Sequence, residues 1–221
     1  MNRKPSFIFD LDGVLVFTDR YHYQAWKQMA DSIGCYFDEK INNRLRGVSR
    51  MASLDIILER ADRKYTQEEK EKLAAQKNEI YRRLLSQMTP ADVTDSVRKT
   101  LAALKKSGHK LAIGSSSKNT KFILQQVDLA APFDAVSDGT NITHSKPDPE
   151  VFLKAAQFLG EDPADCVVIE DAYSGIDAAK AGGMFAIGIG DAAGYDKADW
   201  HIQDFSEIEK IAEELDRKAG F

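Results

Sequence analysis

Three well-separated segments of this chain repeat one pattern: a short apolar run, a polar or glycine-rich turn, and a helix-forming stretch. They are FIFDLDG from Phe7, KLAIGSSSKNTKFILQQV from Lys110 and CVVIEDAYSGIDAAKAGG from Cys166. Two more apolar runs, FDAVSDG from Phe133 and MFAIGIG from Met184, add candidate strands. Runs this short and this apolar suit strands buried on both faces. Their alternation with helices predicts an α/β fold with a mainly parallel sheet covered on both sides. Ligands of such sheets bind at the carboxyl ends of the strands. Asp10, Ser115 and Glu170 each stand at such an end, so three distant segments converge on one place.

Over 19–88 the pattern changes. Trp26, Met29, Ala30 and Ile33 recur at helical spacing, as do Leu54, Ile57, Leu58 and Ala61. Thr66 and Glu69 have capping-box spacing ahead of Leu73, Ile80 and Leu84. No strand pattern interrupts them. The expected organisation is a catalytic core of 1–18 and 89–221, with a helical cap, 19–88, inserted just after the first strand.

A hydrophobic content of 43% suits a globular chain with a real core, and a net charge of -5 argues against nucleic acid as a partner. The two cysteines, Cys35 and Cys166, have neither CxxC nor metal-site spacing, which fits a reducing, cytoplasmic setting. Asp10 ends the N-terminal apolar run well short of a signal-peptide core, and no stretch approaches the ~20 apolar residues of a membrane span. No membrane partner is therefore expected. Nothing in the sequence asks for an obligate interface, so a monomer is the expectation.

The chemistry begins at Asp10 and Asp12. A carboxylate at a strand end can attack phosphorus and form an aspartyl-phosphate. Gly13 permits a turn that aims Asp12 into the same site, where it could act as general acid and base. A bare DxD more often caps a turn. Ser115, Ser116, Ser117, Lys118 and Asn119 follow the second strand and open a helix, an arrangement that binds anions but also occurs in ordinary N-caps. Lys146 precedes Pro147 and Pro149, which stiffen the chain before another helix. There it could neutralise a nucleophilic carboxylate and a phosphoryl oxygen together. Glu170 and Asp171 add two more acids, so a cation is implied, and oxygen-only ligands select Mg²⁺.

DLDGVL, Ser115 after a strand, Lys146 before Pro147 and EDAYSGIDAAKAGG resemble, in order and spacing, the four motifs of the haloacid dehalogenase superfamily. The resemblance implies a Rossmann-like core with an inserted helical cap, and metal ligands among Asp10, Asp12, Glu170 and Asp171. Asp12 implies phosphatase or phosphomutase chemistry rather than dehalogenation. The segments TDRYHYQAWK, LRGVSRMASL, LAAQKNEIY and TPADV extend the resemblance to hexose-phosphate mutases of that superfamily. These interconvert β-glucose 1-phosphate and glucose 6-phosphate through glucose 1,6-bisphosphate, which also primes the enzyme. By that resemblance His22, Trp26, Gly47, Arg50, Ser53 and Lys77 contact the sugar phosphate from the cap, and Thr18 and Asp19 form the hinge; Trp26, on its apolar stripe, fits the cap's core better than a sugar contact. Ser115 and the Ser116 backbone would hold the transferring group, and Ser117, Lys118 and Asn119 the distal phosphate together with Arg50. Lys77 interrupts an apolar stripe, which on spacing alone also fits a snorkelling lysine. A sugar-phosphate phosphatase remains the alternative, and a non-catalytic phospho-aspartate sensor a distant one.

Overall fold

The computed structural model describes residues 4–45 and 49–218. The chain divides into two compact units, one of 1–17 and 89–221 and the other of 18–88.

The first unit is built on six parallel strands: β1 (Ser6–Phe9), β2 (Leu111–Gly114), β3 (Ala135–Ser137), β4 (Cys166–Glu170), β5 (Phe185–Gly188) and β6 (Trp200–His201). Their order is β3-β2-β1-β4-β5-β6. β1 is fully buried, and β2 and β4 flank it, with Phe7 opposite Leu111 on one side and Val167 on the other. Side chains alternate between faces. Ile8, Ala112, Val168 and Ala186 belong to a core cluster with Val151, Phe152, Ala155 and Ile176 of the helices α7 (Glu150–Leu159) and α8 (Tyr173–Ala181). Phe7 points the other way and meets His109 edge-on at 5.1 Å, while Phe9 stacks on Phe205 at 5.8 Å. Helices α5 (Asp95–Lys106) and α9 (Glu207–Lys218) pack on each other within this unit.

The chain passes from β1 to β2 on one side and later to β4 on the other. The order therefore reverses beside β1, and a sheet of this kind opens its ligand crevice at that point. The residues just beyond β1, β2 and β4 border it.

The second unit is helical among its described residues: α1 (Asp19–Ser32), α2 (Glu39–Asn43), α3 (Arg50–Leu58) and α4 (Gln67–Leu85). α1 and α4 form its main packing, through Tyr21, Ala25, Trp26 and Met29 on one and Leu73, Ala74, Ile80 and Tyr81 on the other. The expected capping box is present: Glu69 N–H donates to Thr66 Oγ1 at 3.3 Å, and Thr66 N–H to Glu69 Oε2 at 2.8 Å. No described helix is long and apolar enough to cross a membrane.

Candidate active site

β1 delivers Asp10, and the chain turns at once. The N–H groups of Leu15 and Val16 both donate to the Leu11 carbonyl, at 3.0 and 3.1 Å, and Gly13 N–H donates to Val16 O at 2.7 Å. Gly13 has φ +87°, and a Cβ there would overlap the Asp171 carboxylate. Glycine is thus required both for the left-handed backbone and for the room it leaves.

Lys146 lies at the centre of the charges. Its Nζ is 2.5 Å from Asp10 Oδ1 and 2.5 Å from Glu170 Oε1, and 4.6 Å from the centre of the Phe152 ring. Burial alone would lower the lysine's pKa, but the Asp10 and Glu170 carboxylates more than offset that, so it stays charged. Asp10, Glu170 and Asp171 offer oxygens that all lie within 4.8 Å of one another. Burial pushes Asp10 up to about 7; Lys146 opposes the rise, and Glu170 and Asp12 add to it. Asp171 is pushed up to about 8, by burial first and then by Glu170 and Asp10. One ammonium cannot balance three carboxylates. Their excess negative charge fits a divalent cation, and an all-oxygen donor set suits a hard ion such as Mg²⁺.

Asp12, expected among the ligands, is not in that oxygen group. The chain turns at Asp12 and Gly13 instead of continuing as strand, so Asp10 and Asp12 lose the side-by-side relation of residues two apart. Asp12 remains near enough to raise both Asp10 and Asp171.

Beyond β2, Ser115 and Asn119 are buried and Lys118 is exposed. The sequence predicts a helix opening directly in this segment. The helix α6 starts only at Thr120 and runs Thr120–Gln126. Ahead of it Ser117 N–H donates to Ser115 Oγ and Asn119 N–H to Ser117 Oγ, each at 3.2 Å. Serine hydroxyls thus fold the segment into successive turns before the helix begins. Ser116 Oγ is buried without a protein hydrogen-bond partner.

A second polar cluster lies wholly within the helical unit. Lys77, on α4, is only 3% exposed; its Nζ is 2.9 Å from His22 Nδ1 and sits over the rings of Trp26 and Tyr81 at 4.8 and 4.4 Å. An ammonium can only donate, so His22 accepts at Nδ1 and carries its proton on Nε2. Burial, then Lys77 and Arg50, holds His22 well below its ordinary range. Arg50 opens α3 and donates to Asn78 Oδ1 at 2.9 Å. Thr18 is buried and accepts from the Tyr81 hydroxyl at 3.1 Å, Ser53 is buried on α3, and Asp19 is exposed at the start of α1. Gly47 lies outside the described residues.

Sequence reasoning missed Asn78 and Tyr81. Tyr81 stands one turn beyond Lys77, so helical spacing from that lysine would have found it. Asn78 carries no such signal.

The haloacid dehalogenase-like hydrolase family matches residues 5–183. The chain belongs to this family. It is an enzyme of that family with the parallel-sheet, Rossmann-like fold the family resemblance implies. A β-phosphoglucomutase of Bacillus subtilis is 42% identical to it over 205 residues, 92% of this chain and 91% of that one. The crystal structure of a β-phosphoglucomutase from Clostridium difficile matches with a TM-score of 0.89 and 36% identity, over 99% of this chain and 100% of that one. A phosphorylated carbohydrates phosphatase of Thermotoga maritima is 32% identical over 81% of this chain and 82% of its own. Haloacid dehalogenase-like relatives of two reaction types thus stand beside this enzyme.

Proposed function

We propose that this chain is a cytoplasmic, monomeric β-phosphoglucomutase that interconverts β-glucose 1-phosphate and glucose 6-phosphate. What carries the reading is Asp10 held against Lys146 within a carboxylate cluster. The polar group of Arg50, Lys77 and His22 in the helical unit and the mutase relatives support it.

In the proposed cycle Asp10 is first phosphorylated, with glucose 1,6-bisphosphate as the priming donor. The free hydroxyl of a glucose monophosphate attacks the phospho-Asp10 phosphorus. A new O–P bond forms as the aspartyl O–P bond breaks, and Asp12 takes the hydroxyl proton. The bisphosphate then turns over. Asp10 attacks its other phosphorus, and Asp12 returns the proton to the departing sugar oxygen. Lys146 stabilises charge on the nucleophile and the transferring oxygens. Asp10, Glu170 and Asp171 would hold Mg²⁺, which supplies Lewis-acid neutralisation of the phosphoryl charge. Ser115 and Ser116 are assigned to the transferring phosphate. Arg50, Ser117, Lys118 and Asn119 are assigned to the distal one, and Lys77 and His22 to the sugar.

The test is a coupled assay for glucose 6-phosphate from β-glucose 1-phosphate with Mg²⁺ and a trace of the bisphosphate, run beside free-phosphate release. Isomerisation with little phosphate release is expected. Asp10→Asn should abolish it, and Arg50→Ala should lower isomerisation far more than phosphoryl transfer to water. Phosphate release without isomerisation would mean that water is the acceptor.

A further inference from the structure

Lys146 is carried by the loop 138–149, between β3 and α7, and that loop is tied to α7 at several points. Glu150, the first residue of α7, accepts the Thr143 and His144 N–H groups at Oε2, at 2.8 and 2.7 Å. Its Oε1 lies 2.9 Å from the Nζ of Lys154, one turn along the helix. Lys154 also donates to the Asn141 carbonyl. Asn141 Oδ1 in turn accepts from Ser137 Oγ at 3.2 Å and Asp138 N–H at 3.3 Å, at the end of β3. The segment leading into Lys146 is therefore fastened to the same helix whose Phe152 ring lies against the Lys146 ammonium.

His144, Asp148 and Glu150 also bring three ligand-type atoms within 4.8 Å of one another. A cation is the wrong occupant there. Both Glu150 oxygens are engaged, Lys154 is cationic, and a helix N-terminus repels positive charge. Lys154, then the His144 and Thr143 N–H groups, holds Glu150 down to about 2, so it is an anion throughout the working range.

We propose that Glu150, together with Lys154, is a positioning residue that fixes Lys146 between Asp10 and Glu170 through the backbone of 141–144. The inference rests on the aspartyl-phosphate reading. Phosphorylation of Asp10 gains from an ammonium held at a fixed place, and a misplacement of about 1 Å in such a group can cost on the order of 100-fold.

The experiment measures the rate of Asp10 phosphorylation by acetyl phosphate, a step that mutase and phosphatase readings share. Glu150→Ala and Glu150→Gln are compared in the wild-type and Lys146→Ala backgrounds. Glu150→Ala should slow labelling roughly tenfold or more, with half-saturating acetyl phosphate nearly unchanged. Glu150→Gln, which keeps an acceptor but not the charge, should fall between. In the Lys146→Ala background Glu150→Ala should add less than about twofold, because a residue acting through Lys146 has nothing left to act on. An equal loss in both backgrounds would overturn the proposal, as would no loss in the wild type. Lys154→Met gives a second route to the same comparison should Glu150→Ala fail to fold. Wild-type protein that takes no label would overturn the aspartyl-phosphate reading and this inference with it. Labelling without sugar isomerisation would count against the mutase alone.

Discussion

Gly175, early in α8, shows how closely the carboxylate cluster is fitted. A Cβ at this position would overlap the Glu170 carboxylate. In an exposed helix Gly→Ala would gain about 1 kcal/mol. Here overlap in a packed site costs about 1–3 kcal/mol, so loss should win. Gly175→Ala is predicted to lower the denaturation midpoint and to reduce kcat roughly tenfold by displacing Glu170. Unchanged activity and unchanged stability would refute the packing argument. Asp10, Glu170 and Asp171 could be picked out in the sequence because carboxylates at the ends of apolar strands are costly without a task, and Lys146 because prolines follow it. Lys77 could be read two ways. It proves to be buried against two aromatic rings and a histidine, partners that its spacing on the helix does not announce. Glu150 gave no signal at all, since an acid in a helix's first turn is commonplace.

Elements with a strong period or a continuous apolar run were readable. β1, β2, β4 and β5 are such runs, and α1, α3 and α4 follow the apolar spacings of the insertion. α2, with five residues, and β6, with two, are too short to carry a period, and neither was anticipated. Serine and asparagine suit both caps and turns, so the sequence of Ser115–Asn119 predicts a helix start; hydroxyl-to-backbone bonds decide for turns. At α4 the signal was unambiguous, and it supports a prediction. Thr66→Ala removes one half of the capping box and should cost about 1 kcal/mol in urea unfolding. Faster hydrogen exchange should be confined to the first turn of α4. Lys77 lies well along the helix, so turnover should stay unchanged. Loss of activity with unaltered stability would show that this end of α4 does more than cap.

For the molecule as a whole, pH and metal act together. Asp10 and Asp171 have raised pKa values in the folded state. Their contribution to stability is present below the ordinary carboxylate range and is lost as pH rises through about 7 and about 8. His22 and His109 are lowered, both chiefly by burial, so they withdraw stability only as pH falls through their ordinary value of 6.5. Of these four groups, only the two carboxylates act between about pH 6.5 and 8. There the metal-free protein is predicted to lose thermal stability steadily. Mg²⁺ favours the ionised cluster, so the rise in melting temperature it produces should be larger at pH 8 than at pH 6. Melting curves with Mg²⁺ and with a chelator at both pH values test this. An equal rise at the two pH values, or one that survives Asp171→Asn, would place the ion elsewhere.

The strand order bears also on how the chain is made. β1 precedes the other strands of its sheet along the chain, yet it is central in the sheet and pairs with β2 and β4. All of 18–88 is synthesised before β2, and β4 follows later still. A nascent chain therefore holds a strand of Phe-Ile-Phe with both hydrogen-bonding edges open while the helical unit, whose contacts are closer in sequence, can already fold. Sheet closure waits for Cys166–Glu170. Until then the N-terminal strand that leads to Asp10 has one edge unpaired, and β4, which leads to Glu170, waits longer still, for β5.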